Sequence, residues 1–573
     1  MFITTVPNRN SNPTILLRES YREGGKVHVR TLANLTHWDK EKVATLDAVL
    51  RGGKISMDGE FDILPGRAHG NIHAVLGTMR RLEIENLLGS RACPERDIAM
   101  ALVAGRVIEP GSRLSLARAL AEMTRNDTLG EELGVVDTPV ESIYGAMDWL
   151  LSRQGIIEKK LAKRHLANGV LILYDMTTVY LEGTKCELGE FGHGKEGRNN
   201  KLQIQVGLLC TEEGIPISVQ VFDGNTGETL TLKDQIRKVK DAFGLTHVVF
   251  VADRGILRDV RIREDLAPQE LDWVTALRRP DIRDLMAKGA FQPSLFDEVD
   301  AAEIEDSGYP GERLVVCLNP FQGDERARRR SELLGVTDKG LAGIYRQTVR
   351  KKNPLTDDGE IGMKVGALLE HYGTGKFYDL HFGKGTFTYK QRPEVVAEDA
   401  KLDGIYILRT SVPKESLDTR ATIRAYHSLS QVETAFRCLK TLDLQIRPIY
   451  HRLTERVRAH AFICMLAYYV EWHMRKALAP LMNTDEGRKE AVANSASPIS
   501  KVGPTPGAIS KRGRKQTQTG EPVQDFRDIL RSLASLTRVE CRPKDPKLPS
   551  VTRTSISEPY HRKVFELLEV TPL

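Results

Sequence analysis

The sequence predicts an α/β fold with a mixed sheet, set among helical segments. Three observations lead there. First, GVLILYDMTTVYLEG (169–183), LQIQVGLLCTEEGIPISVQVF (202–222), VVFVADRG (248–255) and DWVTALRR (272–279) are apolar runs of strand length. Between the second and third lies ETLTLKDQIRKVKDAFG (228–244), with apolar residues at helical spacing, so the order is strand, hairpin, helix, strand, strand. Second, residues 73–166 carry apolar residues every three or four positions in four successive stretches. Third, 40% hydrophobic and 28% charged residues are ordinary for a folded chain. Its 573 residues exceed one compact core and suggest roughly three or four domains.

The charge balance is nearly even. Eighty-three basic against 77 acidic residues leave +6, a weak preference for a polyanion in which distribution matters more than total. The seven cysteines are scattered and none forms a CxxC pair, so neither a structural zinc site nor a disulfide framework is expected. That pattern fits a reducing compartment. The N-terminus MFITTVPNRN lacks the basic start and apolar run of a signal peptide. The longest apolar stretch, Ala461 to Val470, is about half a membrane span. It reads as a buried helix, and the expected location is cytoplasmic.

In chain order, residues 1–72 contain a β-hairpin turning at Glu23-Gly24-Gly25, then a helix from near Asp39 to Gly52-Gly53. Residues 73–166 form a helical domain in which Ser112, after Pro110-Gly111, starts a helix. Arg113, Arg118 and Arg125 fit a helix-turn-helix that holds DNA. They fit a plain helical domain with a solvated basic face equally well. Residues 167–280 are the first part of the α/β core. Residues 281–402 break its alternation: RLVVCLNP, FYDLHF and GTFTYKQR look like strands around a basic helical stretch, and the segment reads as a β-rich insertion. DGIYILRTS returns to the core, and helices follow at 419–441 and 453–477, completing a second part over 403–480. Residues 481–522 are poor in bulky apolar groups and read as a disordered basic linker carrying Lys511, Arg512, Arg514 and Lys515. Residues 523–573 close the chain.

Asp253 ends the most apolar strand, and Asp175 sits inside the first one. Asp commonly ends strands and starts turns, so Asp253 alone carries little. A carboxylate in mid-strand is costly to bury and should be paired, capped or metal-bound. A third acid, Glu433, lies in YHSLSQVETAFRCLK above an apolar stripe of Val432, Phe436 and Leu439. Seven helical residues turn through about 700°, close to two full turns, so a continuous helix stacks Tyr426, Glu433 and Lys440 on one face. Arg437 is one turn beyond Glu433. A second reading stands beside this one: Ser430 and Glu433 form S-x-x-E, a capping box. Two Asp on neighbouring strands and a Glu on a helix suit two-metal phosphoryl transfer, and hard oxygen ligands suit Mg²⁺ or Mn²⁺. Asp175 and Asp253 are 78 residues apart, room for a hairpin and a helix. The 180 residues from Asp253 to Glu433 require an insertion.

With these residues the chain resembles insertion-sequence transposases of the DDE class, in the branch whose ribonuclease-H-like core carries a β-rich insertion before the last acid. That branch shows the first Asp as D-x-T, here Asp175-Met176-Thr177, and the second as D-R-G, here Asp253-Arg254-Gly255. The third acid lies in a Tyr-x2-Arg-x3-Glu-x6-Lys signature. Tyr426, Glu433 and Lys440 occupy their places, but Leu429 stands where the family has Arg. The resemblance extends through FGHGKEGRNNKLQIQVGLL, GIPISVQVFDGNTGE, YHRLTERVRAHAFICMLAYYVEW and the N-terminal VPNRNSNPTILLRESYREGGKVHVRTLANL. It implies Asp175, Asp253 and Glu433 as catalytic and metal-binding residues, with two Mg²⁺ (or Mn²⁺) ions per site. Tyr426, Arg437, Lys440 and Arg254 would contact DNA, with Lys195 and Arg198. Cutting at terminal inverted repeats, joining to target DNA, and a homodimer in the synaptic complex are implied as well, in a bacterial protein associated with the nucleoid.

Other patterns carry less. GEFGHGKE (189–196) nearly matches a phosphate-loop motif, but Glu196 replaces the Ser or Thr that would bind magnesium, and no helix follows. Lys195 and Arg198 fit phosphate contacts or simple solvation. His460, on an apolar helix, reads as a hydrogen-bonded core histidine. Trp38, Trp149, Trp273 and Trp472 are dispersed and read as core. Two rival functions stand at this point: a metal-dependent nuclease without strand transfer, and a DNA-binding repressor with a decayed core.

Overall fold

The computed structural model describes residues 1–573 except 9–12, 53–60, 193–199, 298, 442, 500–501 and 545–549. The chain divides into two compact units, Met1–Arg67 with Arg538–Ser555, and Ala68–Thr537 with Ile556–Leu573.

The smaller unit holds an antiparallel meander of Phe2–Val6, Thr14–Glu23 and Lys26–Asn34. Its hairpin turns on Gly24 and Gly25, with φ of +56° and +80°, a pair of positive dihedrals that glycine adopts without penalty. The helix Lys40–Leu50 follows. A second sheet places Thr537–Pro543 between Phe61–Ile63 and Val551–Thr554. The segment expected to close the chain as a separate piece thus returns to the N-terminal region.

The larger unit opens with helices α1 (Gly70–Arg81), α2 (Pro94–Ile108), α3 (Arg113–Leu120), α4 (Val140–Ser152) and α5 (Gln154–His165). Ser112 caps α3, its side chain accepting from the Ser115 amide. The central sheet comprises β1 (Leu171–Tyr180), β2 (Gln203–Thr211), β3 (Pro216–Asp223), β4 (Val249–Val251), β5 (Asp272–Ala276), β6 (Ala301–Ile304), β7 (Arg313–Leu318) and β8 (Ile405–Thr410). Their spatial order is β6-β7-β8-β5-β4-β1-β2-β3. β1, β2 and β3 form an antiparallel meander, while β4 and β5 run parallel to β1. The remaining helices used below are α6 (Glu228–Arg237), α7 (Pro320–Val349), α8 (Asp358–Tyr372), α9 (Thr419–His427), α10 (Leu429–Lys440) and α11 (Thr454–Ala477).

One apolar core runs from α1 and α2 through β1, β2 and β4 to α11, including the whole Ala461–Val470 stretch. Among the described residues no helix is long and apolar enough to cross a membrane. Because helices 73–166 share this core, they are no separate body. Of the three arginines expected on a basic face, DNA-holding or solvated, two turn inward or to local acids. Arg113 is buried, bonded to His460 Nδ1 at 2.9 Å and to Met147 Sδ at 3.2 Å. Arg125 pairs with Glu122 at 2.6 Å and Glu131 at 2.9 Å. Arg118 alone of the three is exposed. His460 is a core histidine as expected, its Nε2 2.8 Å from the Ile446 carbonyl oxygen. Trp273 is buried, but Trp38 is 49% exposed, against the expectation that all four tryptophans are core.

The insertion, expected to be β-rich, is mainly helical. Its strands β6 and β7 extend the central sheet. Beyond them α7, α8 and a hairpin of Tyr378–Gly383 with Thr386–Gln391 enclose a small core around Leu341, Ile361 and Phe387. Asp399 and Asp403 tie this part to the sheet, meeting Lys376 at 2.7 Å, Arg330 at 2.6 Å and Arg279 at 3.3 Å. Residues 481–522, expected to be disordered, carry helices Arg488–Ala493 and Pro506–Arg514. Lys511 pairs with Glu486 at 2.6 Å and donates to the carbonyls of Ala479 and Met482. Caps and charge pairing, invisible to composition, order this segment.

Candidate active site

β1 is buried on both faces because α helices cover them. Leu173 partners Val251 across the parallel β1–β4 pair. Asp175 and Asp253 each follow two residues later on their chains, Asp175 within β1 and Asp253 just past the end of β4. β4 ends at Val251, and the Asp253 side chain accepts from the Gly255 amide while its carbonyl accepts from Ile256 at 3.0 Å and Leu257 at 3.1 Å. Asp253 thus lies two residues past the strand and starts a turn. Asp175 Oδ1 accepts from the Met176 amide at 2.7 Å. Both carboxylates are half-buried.

α10 packs across β1 and β2, with Val432, Ala435, Phe436 and Leu439 buried and Glu433 exposed. The capping box does not form. The Ser430 hydroxyl donates to the His427 carbonyl at 2.8 Å, and Glu433 lies in the body of the helix. Between α9 and α10 only Ser428 intervenes, with φ −66° and ψ −14°, so the helical path carries on from Tyr426 to Glu433. Tyr426 lies within the field of all three acids. Burial first, then Asp253, Glu433 and Asp175, push its phenol up to about 12, with Arg254 opposing. Leu429, at the signature's Arg position, packs against the main core.

Arg254 and Arg437 are exposed, and Lys440 ends α10. Lys195 and Arg198 lie outside the described residues. Two features escaped the sequence reading. The Arg326 guanidinium, on α7, is pushed down by burial and then by Arg279 and Arg254, with Asp403 and Asp399 opposing, so a cation of the insertion lies within the field of Arg254. Glu228, the first residue of α6, stands against the Asp253 turn. A Cβ on Gly255 would lie 2.6 Å from Glu228 Oε2 and 3.0 Å from Asp253 Oδ1. The two oxygens are therefore no further apart than the sum of these distances, about 5.6 Å. No motif marked Glu228, because its neighbour is 27 residues away in sequence.

Among the described residues, one group of three metal-ligating side chains falls within 4.8 Å: Cys438, Asp443 and Glu471. Arg475 meets Glu471 at 2.6 Å and Asp443 at 3.1 Å, and Arg527 reaches Asp443 at 3.7 Å. Two guanidiniums balance the two carboxylates there, and the cluster is an ion-pair network. Asp175, Asp253 and Glu433 offer oxygen ligands, the donor chemistry that suits a hard divalent ion. The space at Gly255 keeps Asp253 Oδ1 clear of a side chain.

The large mixed sheet flanked by helices fits a ribonuclease-H-like transposase core. The family model described as transposase DDE domain matches residues 167–470, more than half of the chain, and that described as IS1634 family transposase, N-terminal domain, matches residues 3–59. The chain belongs to the DDE transposases of insertion sequences. No curated protein matches it significantly.

Proposed function

We propose that this transposase cuts DNA at the ends of its element and joins them to target DNA at a single site formed by Asp175, Asp253 and Glu433. The observation that supports this best is the register of β1 on β4, in which Leu173 pairs with Val251 and each is followed two residues later by an aspartate, with α10 packed on β1. These three residues would hold two Mg²⁺ (or Mn²⁺) ions. When bound, such ions activate the attacking oxygen and stabilise the leaving one.

The protein's own contribution is binding and orientation. The turn bonds at Asp253 and the Met176 amide at Asp175 fix carboxylate directions. Tyr426, with its phenol kept protonated, is a hydrogen-bond donor for a DNA phosphate beside the acids. Arg254, Arg437 and Lys440 supply positive charge along the path of flanking DNA, and Lys195 and Arg198 belong to the same proposal. Water would attack first and leave a 3′-hydroxyl, which then attacks target DNA. No covalent enzyme intermediate is needed. Paired ends call for a homodimer.

The test uses purified protein, a labelled duplex carrying one element end, and Mg²⁺ or Mn²⁺. Wild type is expected to cut and to join the end to other DNA, while Asp253→Ala only binds. Cut but never joined products would make it a nuclease. Equal behaviour of the two proteins would leave a DNA-binding repressor.

A further inference from the structure

Glu228 is fixed in place from two sides. Its own backbone carbonyl accepts from the Thr231 hydroxyl at 2.8 Å, and that hydroxyl accepts from Tyr174 at 2.9 Å. Tyr174 is fully buried and immediately precedes Asp175, so the first turn of α6 is locked to β1 at the level of the first aspartate. On the other side, Gly255 leaves open the volume that a Cβ would fill, and Glu228 Oε2 approaches it. The same point is 3.0 Å from Asp253 Oδ1.

We propose that Glu228 is a fourth carboxylate of the site, giving an oxygen to the divalent ion beside Asp253, and that Gly255 is the residue that permits its approach. This rests on the metal-holding role proposed for Asp253. The competing local role is a helix-start acid facing the helix dipole, which would affect stability alone.

The experiment titrates Mn²⁺ calorimetrically into the full-length protein without DNA, for wild type, Asp253→Asn, Glu228→Gln, Glu228→Asp and Gly255→Ala. Melting temperatures are taken in chelator to confirm folding. Glu228→Gln is expected to weaken Mn²⁺ binding by about tenfold or more, with Glu228→Asp between it and wild type. Gly255→Ala is expected to weaken it too, since the new methyl displaces the Glu228 carboxylate. End binding in a gel shift should stay unchanged, and the Mg²⁺ concentration for half-maximal cleavage should rise. If Glu228→Gln binds Mn²⁺ as wild type does while Asp253→Asn does not, the fourth-carboxylate role is overturned and the parent reading stands. If Asp253→Asn also binds as wild type does, the parent reading falls and this one with it. Should Glu228→Gln fail to fold, wild-type Mn²⁺ binding in Gly255→Ala overturns the proposal in its place.

Discussion

Leu173 and Val251 are register partners on the parallel strands β1 and β4, and each is followed two residues later by an aspartate. A one-residue slip of β1 would send Asp175 to the opposite face. The buried apolar runs Ile172–Tyr174 and Val249–Ala252 form core and would also fix where the two aspartates of the proposed site fall. Asp175→Asn keeps the size of the side chain and its acceptor for the Met176 amide. It is expected to reduce cleavage at least about a thousandfold while end binding persists. Near-normal cleavage by this variant, measured on the same labelled duplex, would make Asp175 a strand residue only.

Gly207 on β2 faces the ring of Tyr174. A Cβ there would fall 2.6 Å from the Tyr174 hydroxyl and 3.1 Å from its ring. The tyrosine is held by Thr231 in a full core and cannot swing aside. Gly207→Ala should cost about 1–3 kcal/mol by overpacking, read as a lower urea midpoint. Because Tyr174 adjoins Asp175, cleavage should fall more than the loss of folded protein explains.

Glu471 is fully buried on α11 and takes its charge partner from Arg475 at 2.6 Å. Burial raises its carboxyl, and Arg475 opposes that. Arg475→Ala leaves the acid without its nearest cation and should destabilise by about 3–5 kcal/mol. Arg475→Met combined with Glu471→Gln should cost clearly less, because no unpaired charge remains. Equal losses in urea denaturation would refute the ion-pair account.

Three partly buried histidines, His165, His451 and His473, are each lowered to about 4, burial being the largest cause and neighbouring cations adding to it. Their charged forms are disfavoured in the folded state. Between about pH 6.5 and 4 the unfolded chain binds more protons than the folded one, so stability is complete above that window and falls as pH drops through it. Urea midpoints at pH 7.5 and pH 5 check this. A midpoint unchanged or higher at pH 5 would contradict it.

Much of this architecture was legible in local pattern. The strand runs, the Gly24-Gly25 turn, the Ser112 cap and the apolar 461–470 stretch all lie in short windows whose periodicity or turn chemistry is self-sufficient. The insertion was misjudged because its β-branched strands stand out, whereas the apolar positions of the 30-residue α7 are thinly spread. The linker was misjudged because composition does not register Thr505 capping a helix or Lys511 bonding to Ala479 and Met482. Arg113 reads as a surface cation because its partners Met147 and His460 are 34 and 347 residues away, whereas Arg125 meets the local acids Glu122 and Glu131.

By itself the sequence determined the order of elements, the family motifs and the placement of Asp175 and Asp253 relative to the apolar residues before them. Periodicity and strand alternation act over a few residues, so they can be read there. Only the tertiary structure decided that Thr537–Pro543 pairs with Phe61–Ile63, that Arg326 comes near Arg254, and that Glu228 stands against Gly255. Those relationships join segments tens to hundreds of residues apart. They follow from which faces bury together and which charges then find partners, and no single window of sequence contains that information.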